Sequence, residues 1–378
     1  MSFETLYSWV KGLPIVDWHN HLDIAMLAED GPLGSLYDVW VRTDPYKHRA
    51  MRICGEPERV ITGDAPEGEK WAAWRRTLPK LVGNPLFAWS KLEMEALGLD
   101  GTENVSLADW TPSKLLAKFG VEYLSPCVGA EACIPSLEGA EPGAMRIVPS
   151  LRMNVDDDVS DKTLERFRDA GCRIVDVSVD DVASLNPVRL KTVAAFAASH
   201  GWTMLLHLGA LRETSARLRA AAGPTGGFAG MRMPVDPASV AVFLDALERE
   251  GHLPRTILLS LNPEAHAQLA VLSGSFTEAG VPGKVQLGPA WWWCDHEEGM
   301  RDVLEKNAAY GVLSAFVGMT TDSRSLLSFV RHDHFRRVLC RWVAEKVASG
   351  AFPSDASPLR PLLEGICCGN ARTITAAA

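Results

Sequence analysis

The sequence predicts an α/β fold: a (β/α)8 TIM-type barrel with a helical insertion between its first and second strands. Three observations lead there. Eight short apolar runs rich in branched residues recur along the chain, most of them ending at polar or turn residues. Helical patterns separate most of the runs, and strand-then-helix repetition implies a parallel sheet covered by helices. Eight units suggest closure into a barrel, and no glycine-rich phosphate turn follows the first run, as a doubly wound sheet would place there.

In chain order the expected strands are residues 14–18, 121–125, 146–151, 173–179, 203–208, 256–261, 284–290 and 315–320. Helical patterns cover 161–170, 190–200, 237–250, 263–279 and 300–310. Residues 23–118 interrupt the repeat: they read as mostly helical, carry Trp40, Trp71, Trp74, Trp89 and Trp110, and are too long for a barrel loop. They are expected to form a helical subdomain over the barrel mouth. Residues 1–22 and 119–378 then form the barrel, with 331–375 as helices packed against it.

At 378 residues the chain can hold one large barrel plus an insertion. A net charge of -9 with scattered Lys and Arg argues against nucleic acid or an anionic membrane as the main partner. It leaves room for a few convergent arginines to bind a small anion. The eight cysteines include no C-x-x-C pair and do not resemble the disulfide framework of a small secreted chain. The opening MSFETLYSWVKGLPIVDWHNH shows no signal-peptide pattern, and no apolar stretch reaches the roughly 18–20 residues of a membrane span. A reducing cytoplasm is the expected location. The sequence is compatible with a homo-oligomer and does not fix one.

Reactive residues of a barrel gather at the C-terminal ends of its strands. The first expected strand ends in Asp17-Trp18-His19-Asn20-His21, the third in Arg152, the fifth in His207. The seventh runs into Trp291-Trp292-Trp293, and the eighth ends in Asp322 with Arg324 beyond it. Residues two apart on a strand point to one side, so His19 and His21 face the barrel axis together. Two imidazoles and the Asp322 carboxylate from the adjoining strand make a site for one divalent transition metal. Zinc is the first expectation, with manganese, iron or cobalt as alternatives. A second metal is not expected, because the fourth and sixth strands end without the extra ligands it needs. His207 is read either as a further ligand or as a hydrogen-bonding partner of substrate.

Several long blocks, in order, resemble the uronate isomerase family of the amidohydrolase superfamily. They are LPIVDWHNHLD, the segment from VWVRTDPYKHRAMRICGEPE to WAAW, LPKLVGNPLFAWSKLEME, HGWTMLLHLGALR, VQLGPAWWWCDHEEGM, FVGMTTDSRSLLSFVRHDHFRRVLC and GICCGNART. The resemblance implies a reversible aldose–ketose isomerisation of a small anionic sugar acid, such as D-glucuronate to D-fructuronate or D-galacturonate to D-tagaturonate. It places His19, His21 and Asp322 around the metal, Arg152 and Arg324 around substrate, and adds Tyr46 and the tryptophans, Trp291 and Trp292 among them. The chemistry agrees: moving a carbonyl from C1 to C2 requires proton transfer and stabilisation of an enediolate, which a Lewis acid, arginines and a tyrosine can supply.

Three departures stand out. Pro45-Tyr46-Lys47 replaces the family's usual His-Tyr-Lys, and His48, three residues on, is the expected substitute for the lost proton carrier if the segment is helical. Asp176 is followed by Val177 where the family has a histidine. The second strand ends in Ser-Pro-Cys-Val-Gly rather than Thr-Thr-Asp-Asp-Pro. The competing reading on the same scaffold is metal-dependent hydrolysis of a sugar-acid lactone or related derivative, with Asp322 activating water.

Overall fold

The computed structural model describes residues 1–135, 145–180, 185, 187–224 and 226–376. Seven parallel strands form one curled sheet: β1 (Ile15–Asn20), β2 (Val121–Gly129), β3 (Ser150–Asn154), β4 (Ile174–Val179), β5 (Thr203–Leu208), β6 (Arg255–Ser260) and β7 (Val285–Leu287). Each pairs with the next in the chain, and the β4–β5 and β5–β6 ladders run through all six residues of β5. Strands so placed are buried on both faces, which explains their near-continuous apolar character.

The period of two sorts these strands into layers. Val175, Val177, Val179, Met204, Leu206 and Leu208 face outward onto helix residues such as Leu164, Phe167, Phe243 and Leu247. Ile174, Leu205, Ile257 and Leu259 face inward and pack with Val16 and Trp18. Two residues beyond Ile174 on the same face stands Asp176, then Ser178, and two beyond Leu205 stands His207. The floor of the barrel is therefore apolar and its C-terminal end polar, which locates the chemistry.

Between β1 and β2 lie the helices Ile24–Glu29, Leu36–Trp40, Pro45–Ile53, Glu67–Thr77, Pro85–Leu97 and Pro112–Lys118. Trp40, Trp71, Trp74 and Trp89 form their buried core, with the Trp40 ring edge-on to Trp74 at 5.5 Å. Lys47 is buried among them as a cation, paired with Asp44 at 2.7 Å and Glu93 at 3.4 Å. Among the described residues, no helix is long and apolar enough to cross a membrane.

The structure departs from the sequence expectations in four places. Residues 146–151 divide into a two-residue strand, Arg146–Ile147, and β3, because Pro149 between them has no N–H to give a ladder. The run 284–290 contracts to Val285–Leu287, ahead of Gly288 and Pro289. The pattern 263–279 breaks into short helical turns that end at Gly274. The eighth strand, expected over 315–320, forms no ladder: Gly318 and Asp322 have left-handed backbones (φ 77° and 45°). A side chain at Gly318 would collide with the Ile366 carbonyl oxygen, so only glycine fits this bend against the C-terminal segment.

That segment nevertheless occupies the eighth position, joined mainly through side chains. Gln286 Oε1 accepts from the Val317 N–H (2.9 Å), and Thr320 Oγ1 accepts from the His19 N–H (2.9 Å). Buried Asp17 accepts from the Thr321 N–H and hydroxyl, both at 2.7 Å, and from the Thr320 hydroxyl at 2.6 Å. The Asp322 N–H then reaches the His19 carbonyl (3.1 Å), and the His21 N–H the Ser323 carbonyl (2.9 Å). Asp17→Asn keeps the volume but turns one acceptor into a donor facing other donors. We expect a loss of about 2–3 kcal/mol in denaturant unfolding; a change within about 0.5 kcal/mol, typical of unimportant positions, would remove Asp17 from the closure.

Candidate active site

The seam delivers three donor atoms to one point. His19 Nε2 lies 3.2 Å and His21 Nε2 3.1 Å from the same oxygen, Asp322 Oδ1. The left-handed turn at Asp322 aims its carboxylate back at β1, and strain of this kind persists where surrounding contacts enforce it. Among the described residues, Asp322 Oδ2 is buried without a hydrogen-bond partner. A carboxylate oxygen so placed invites a cation.

On the other side of His19 a second polar group sits on β2, β3 and β4. Asp176 is fully buried; it pairs with Arg152 and lies 2.7 Å from His207 Nδ1. The Cys127 thiol donates to Asp176 Oδ2 (3.4 Å), while its sulfur lies 3.3 Å from His19 Nδ1. Arg152 also donates to Ser178 (2.8 Å). Two groupings of ligand-type side chains thus overlap at His19: His19, His21 and Cys127, and His19, Asp176 and His207.

These groups open on a cavity of about 260 Å³, lined among others by His21, Tyr46, Arg152, His207, Trp291, Trp292, Asp322 and Arg324. The Trp291 ring stands edge-on to His207 at 4.7 Å, and Trp293 edge-on to Tyr46 at 5.5 Å. Arg212 lies over Trp292 at 4.9 Å and is bonded to Asp180 (2.9 Å) and Ser178 (2.7 Å). Arg324 is exposed and has no ion pair among the described residues.

Burial opposes every charge here, and partners decide which survive. Asp176 is held well below the usual carboxylate range: burial pushes it up, but Arg152, His207 and His19 outweigh that. Asp322 is likewise held low against burial, by the two imidazoles. Burial drives His21 down to about 4 and lowers His207, whose Asp176 contact opposes the shift. Burial, with Asp322 nearby, raises Tyr46, so its hydroxyl stays neutral.

The residues singled out from sequence as His19, His21, Asp322, His207, Arg152, Arg324, Tyr46, Trp291 and Trp292 all meet at or beside this cavity. His48 does not reach it. Pro45 and Tyr46 line the cavity, whereas His48 is buried near Asp44, Arg52 and Glu58, and burial lowers it to about 4. The helix Pro45–Ile53 does place positions 45 and 48 close together, but its packing into the insertion turns the imidazole away. The sequence alone assigned no site role to Asp176, Cys127 or Arg212. The signal for Asp176 was present: a lone acid on the inward face of an otherwise apolar strand has to be paired.

The glucuronate isomerase family model matches residues 2–108 and 150–374. A uronate isomerase from Halalkalibacterium halodurans is 31% identical, with 97% of this chain and 94% of the relative covered. The crystal structure of uronate isomerase from Thermotoga maritima superposes with a TM-score of 0.86 at 25% identity, covering 99% of this chain and 97% of that one. The glucuronate isomerase structure from Caulobacter crescentus shares the fold, with a TM-score of 0.83 at 20% identity over 99% of this chain and 93% of that one.

The buried Tyr46 hydroxyl has no hydrogen-bond partner of good geometry among the described residues, with the Arg331 guanidinium beside it. Removing an unsatisfied hydroxyl relieves a desolvation cost. Tyr46→Phe should therefore unfold at the same or a higher temperature than the parent protein. A drop equivalent to about 1 kcal/mol or more, the size of an ordinary lost hydrogen bond, would show that the hydroxyl is bonded.

Proposed function

The chain belongs to the uronate isomerase family, and on that premise we propose that it interconverts an open-chain hexuronate aldose and its ketose at the cavity of His21, Asp322 and Arg324. One observation carries the reading. Among the described residues an unpaired guanidinium, Arg324, borders the same cavity as Asp322, whose Oδ1 lies between two imidazoles and whose Oδ2 is bare. An anionic, polyhydroxylated substrate needs both.

The convergence of His19 Nε2, His21 Nε2 and Asp322 Oδ1, with Oδ2 left over, fits a divalent cation. His19, His21 and Asp322 would hold it, with His207 as a further candidate. Imidazole and carboxylate donors suit zinc and also accept manganese, iron or cobalt. When bound, such an ion supplies Lewis-acid stabilisation of the negative charge that develops on substrate oxygen.

The chain's own residues have the remaining tasks. Arg324 takes the C6 carboxylate, for which a planar guanidinium offers two parallel hydrogen bonds. Arg152 and Arg212, already engaged by Asp176, Asp180 and Ser178, add positive potential without moving. Trp291 and Trp292 close one wall of the cavity with apolar surface suited to the C–H face of a sugar. Neutral Tyr46 donates to the oxygen that gains charge as the enediolate forms. Asp322 Oδ2 removes the C2 proton and returns it at C1, while the proton of the C2 hydroxyl passes to the C1 oxygen, so that the enediolate closes to the ketose with no proton gained or lost. Its low pKa keeps it in the basic form, and its weakness as a base is offset by stabilisation of the enediolate.

Proton NMR of the metal-replete protein with D-glucuronate or D-galacturonate in deuterium oxide tests the reaction. Ketose signals, with deuterium entering at the exchanging carbon, are expected; bound metal with no change in either sugar would contradict the assignment and turn attention to lactones. Arg324→Ala should raise KM about 10-fold or more, the worth of a charge-assisted hydrogen bond, with a smaller effect on kcat. An unchanged KM would move the carboxylate elsewhere.

A further inference from the structure

We infer that Cys127 is a positioning residue that holds a proton of His19 on Nδ1 and so leaves Nε2 as the ring nitrogen that faces His21 and Asp322 and can bind a cation. The inference rests on the metal reading above and concerns a residue outside the segments that match the family model, which skip 109–149.

The geometry sets the direction of each bond. Cys127 Sγ has three neighbours: the Asp176 carboxylate at 3.4 Å, His19 Nδ1 at 3.3 Å and the Ser150 hydroxyl at 3.5 Å. The Asp176 carboxylate is paired with the Arg152 guanidinium and so serves as an acceptor. The single thiol hydrogen therefore goes to Asp176. The sulfur is left with lone pairs only, so the hydrogen between Cys127 and His19 must come from Nδ1–H. With Nδ1 engaged by Cys127, Nε2 is the ring nitrogen that faces Asp322 Oδ1 at 3.2 Å, with His21 Nε2 3.1 Å from the same oxygen. It donates to that oxygen while protonated and gives a lone pair to a cation that takes the proton's place.

Metal-binding histidines commonly have their second ring nitrogen tied to a carboxylate or a carbonyl. Here a thiol does it, with Asp176 one bond behind. The arrangement differs from direct coordination by sulfur, because Cys127 addresses the ring nitrogen opposite to the one near Asp322.

The test is a zinc titration against a competing chelator on the full-length protein and on Cys127→Val and Cys127→Ser, together with ¹⁵N-histidine NMR of the zinc-loaded protein. Cys127→Val keeps the volume and removes the acceptor; zinc affinity should fall about 10- to 100-fold, the range for lost outer partners of a ligand. Cys127→Ser, which can donate and accept as the thiol does, should restore most of it. In the parent protein, His19 should carry its proton on Nδ1. Equal affinity in parent and Cys127→Val overturns the inference while leaving the metal reading intact, and a parent that binds no zinc overturns both. If Cys127→Val fails to fold, the NMR still decides: a proton on Nε2 of His19 in the parent overturns the assignment. A thiolate charge-transfer band in the cobalt-loaded parent would do the same, by showing sulfur as a ligand.

Discussion

Buried Asp17 closes the barrel where the regular backbone ladder gives out, alongside the backbone bonds from Asp322 to His19 and from His21 to Ser323. Between β7 and β1 the chain bends at Gly318 and turns left-handed at Asp322, so no ladder can form. Instead the carboxylate of Asp17 takes the Thr321 N–H and the hydroxyls of Thr320 and Thr321, and Gln286 takes the Val317 N–H. A ladder would have presented Asp322 in a plain alternating pattern. The side-chain seam frees its backbone to turn, and the turn puts Oδ1 between two imidazoles. Closure of the fold and assembly of the candidate site are the same set of contacts.

A second constraint works from the far side of His19. Asp176 stays ionised in full burial because Arg152 and His207 stand against it. It orients His207 through Nδ1, steadies Arg152, and reaches His19 by way of Cys127. Each of those side chains is costly to bury alone and is satisfied only in company. The cavity's polar wall is therefore rigid before any substrate arrives, which lowers the ordering cost that catalysis would otherwise carry.

Much of this was legible in the sequence because it rests on local period and on strand ends. The β1 sequence IVDWHN has a pattern that buries all six residues, and the H-x-H spacing places two imidazoles together. Trp291, Arg152 and His207 were legible as residues at the ends of apolar runs. The eighth strand was not, since the bend at Gly318 brings its backbone too close to the Ile366 carbonyl for any side chain, and Ile366 is remote in sequence. His48 misled for a related reason: helical spacing relates it to Pro45, but the insertion's tertiary packing decides which way the ring points. Asp176 and Cys127 were visible as letters and illegible as partners, because they meet across β2 and β4 although they stand 49 positions apart in the sequence.

The central claim is that His19, His21 and Asp322 hold one cation at the seam. Anomalous diffraction from crystals of the zinc-replete protein, with metal content measured on the same material, tests it most directly. The account predicts one equivalent of zinc and one anomalous peak bonded to His19 Nε2, His21 Nε2 and Asp322. A peak on the Cys127 and Asp176 side of His19, or no stoichiometric metal, would contradict it.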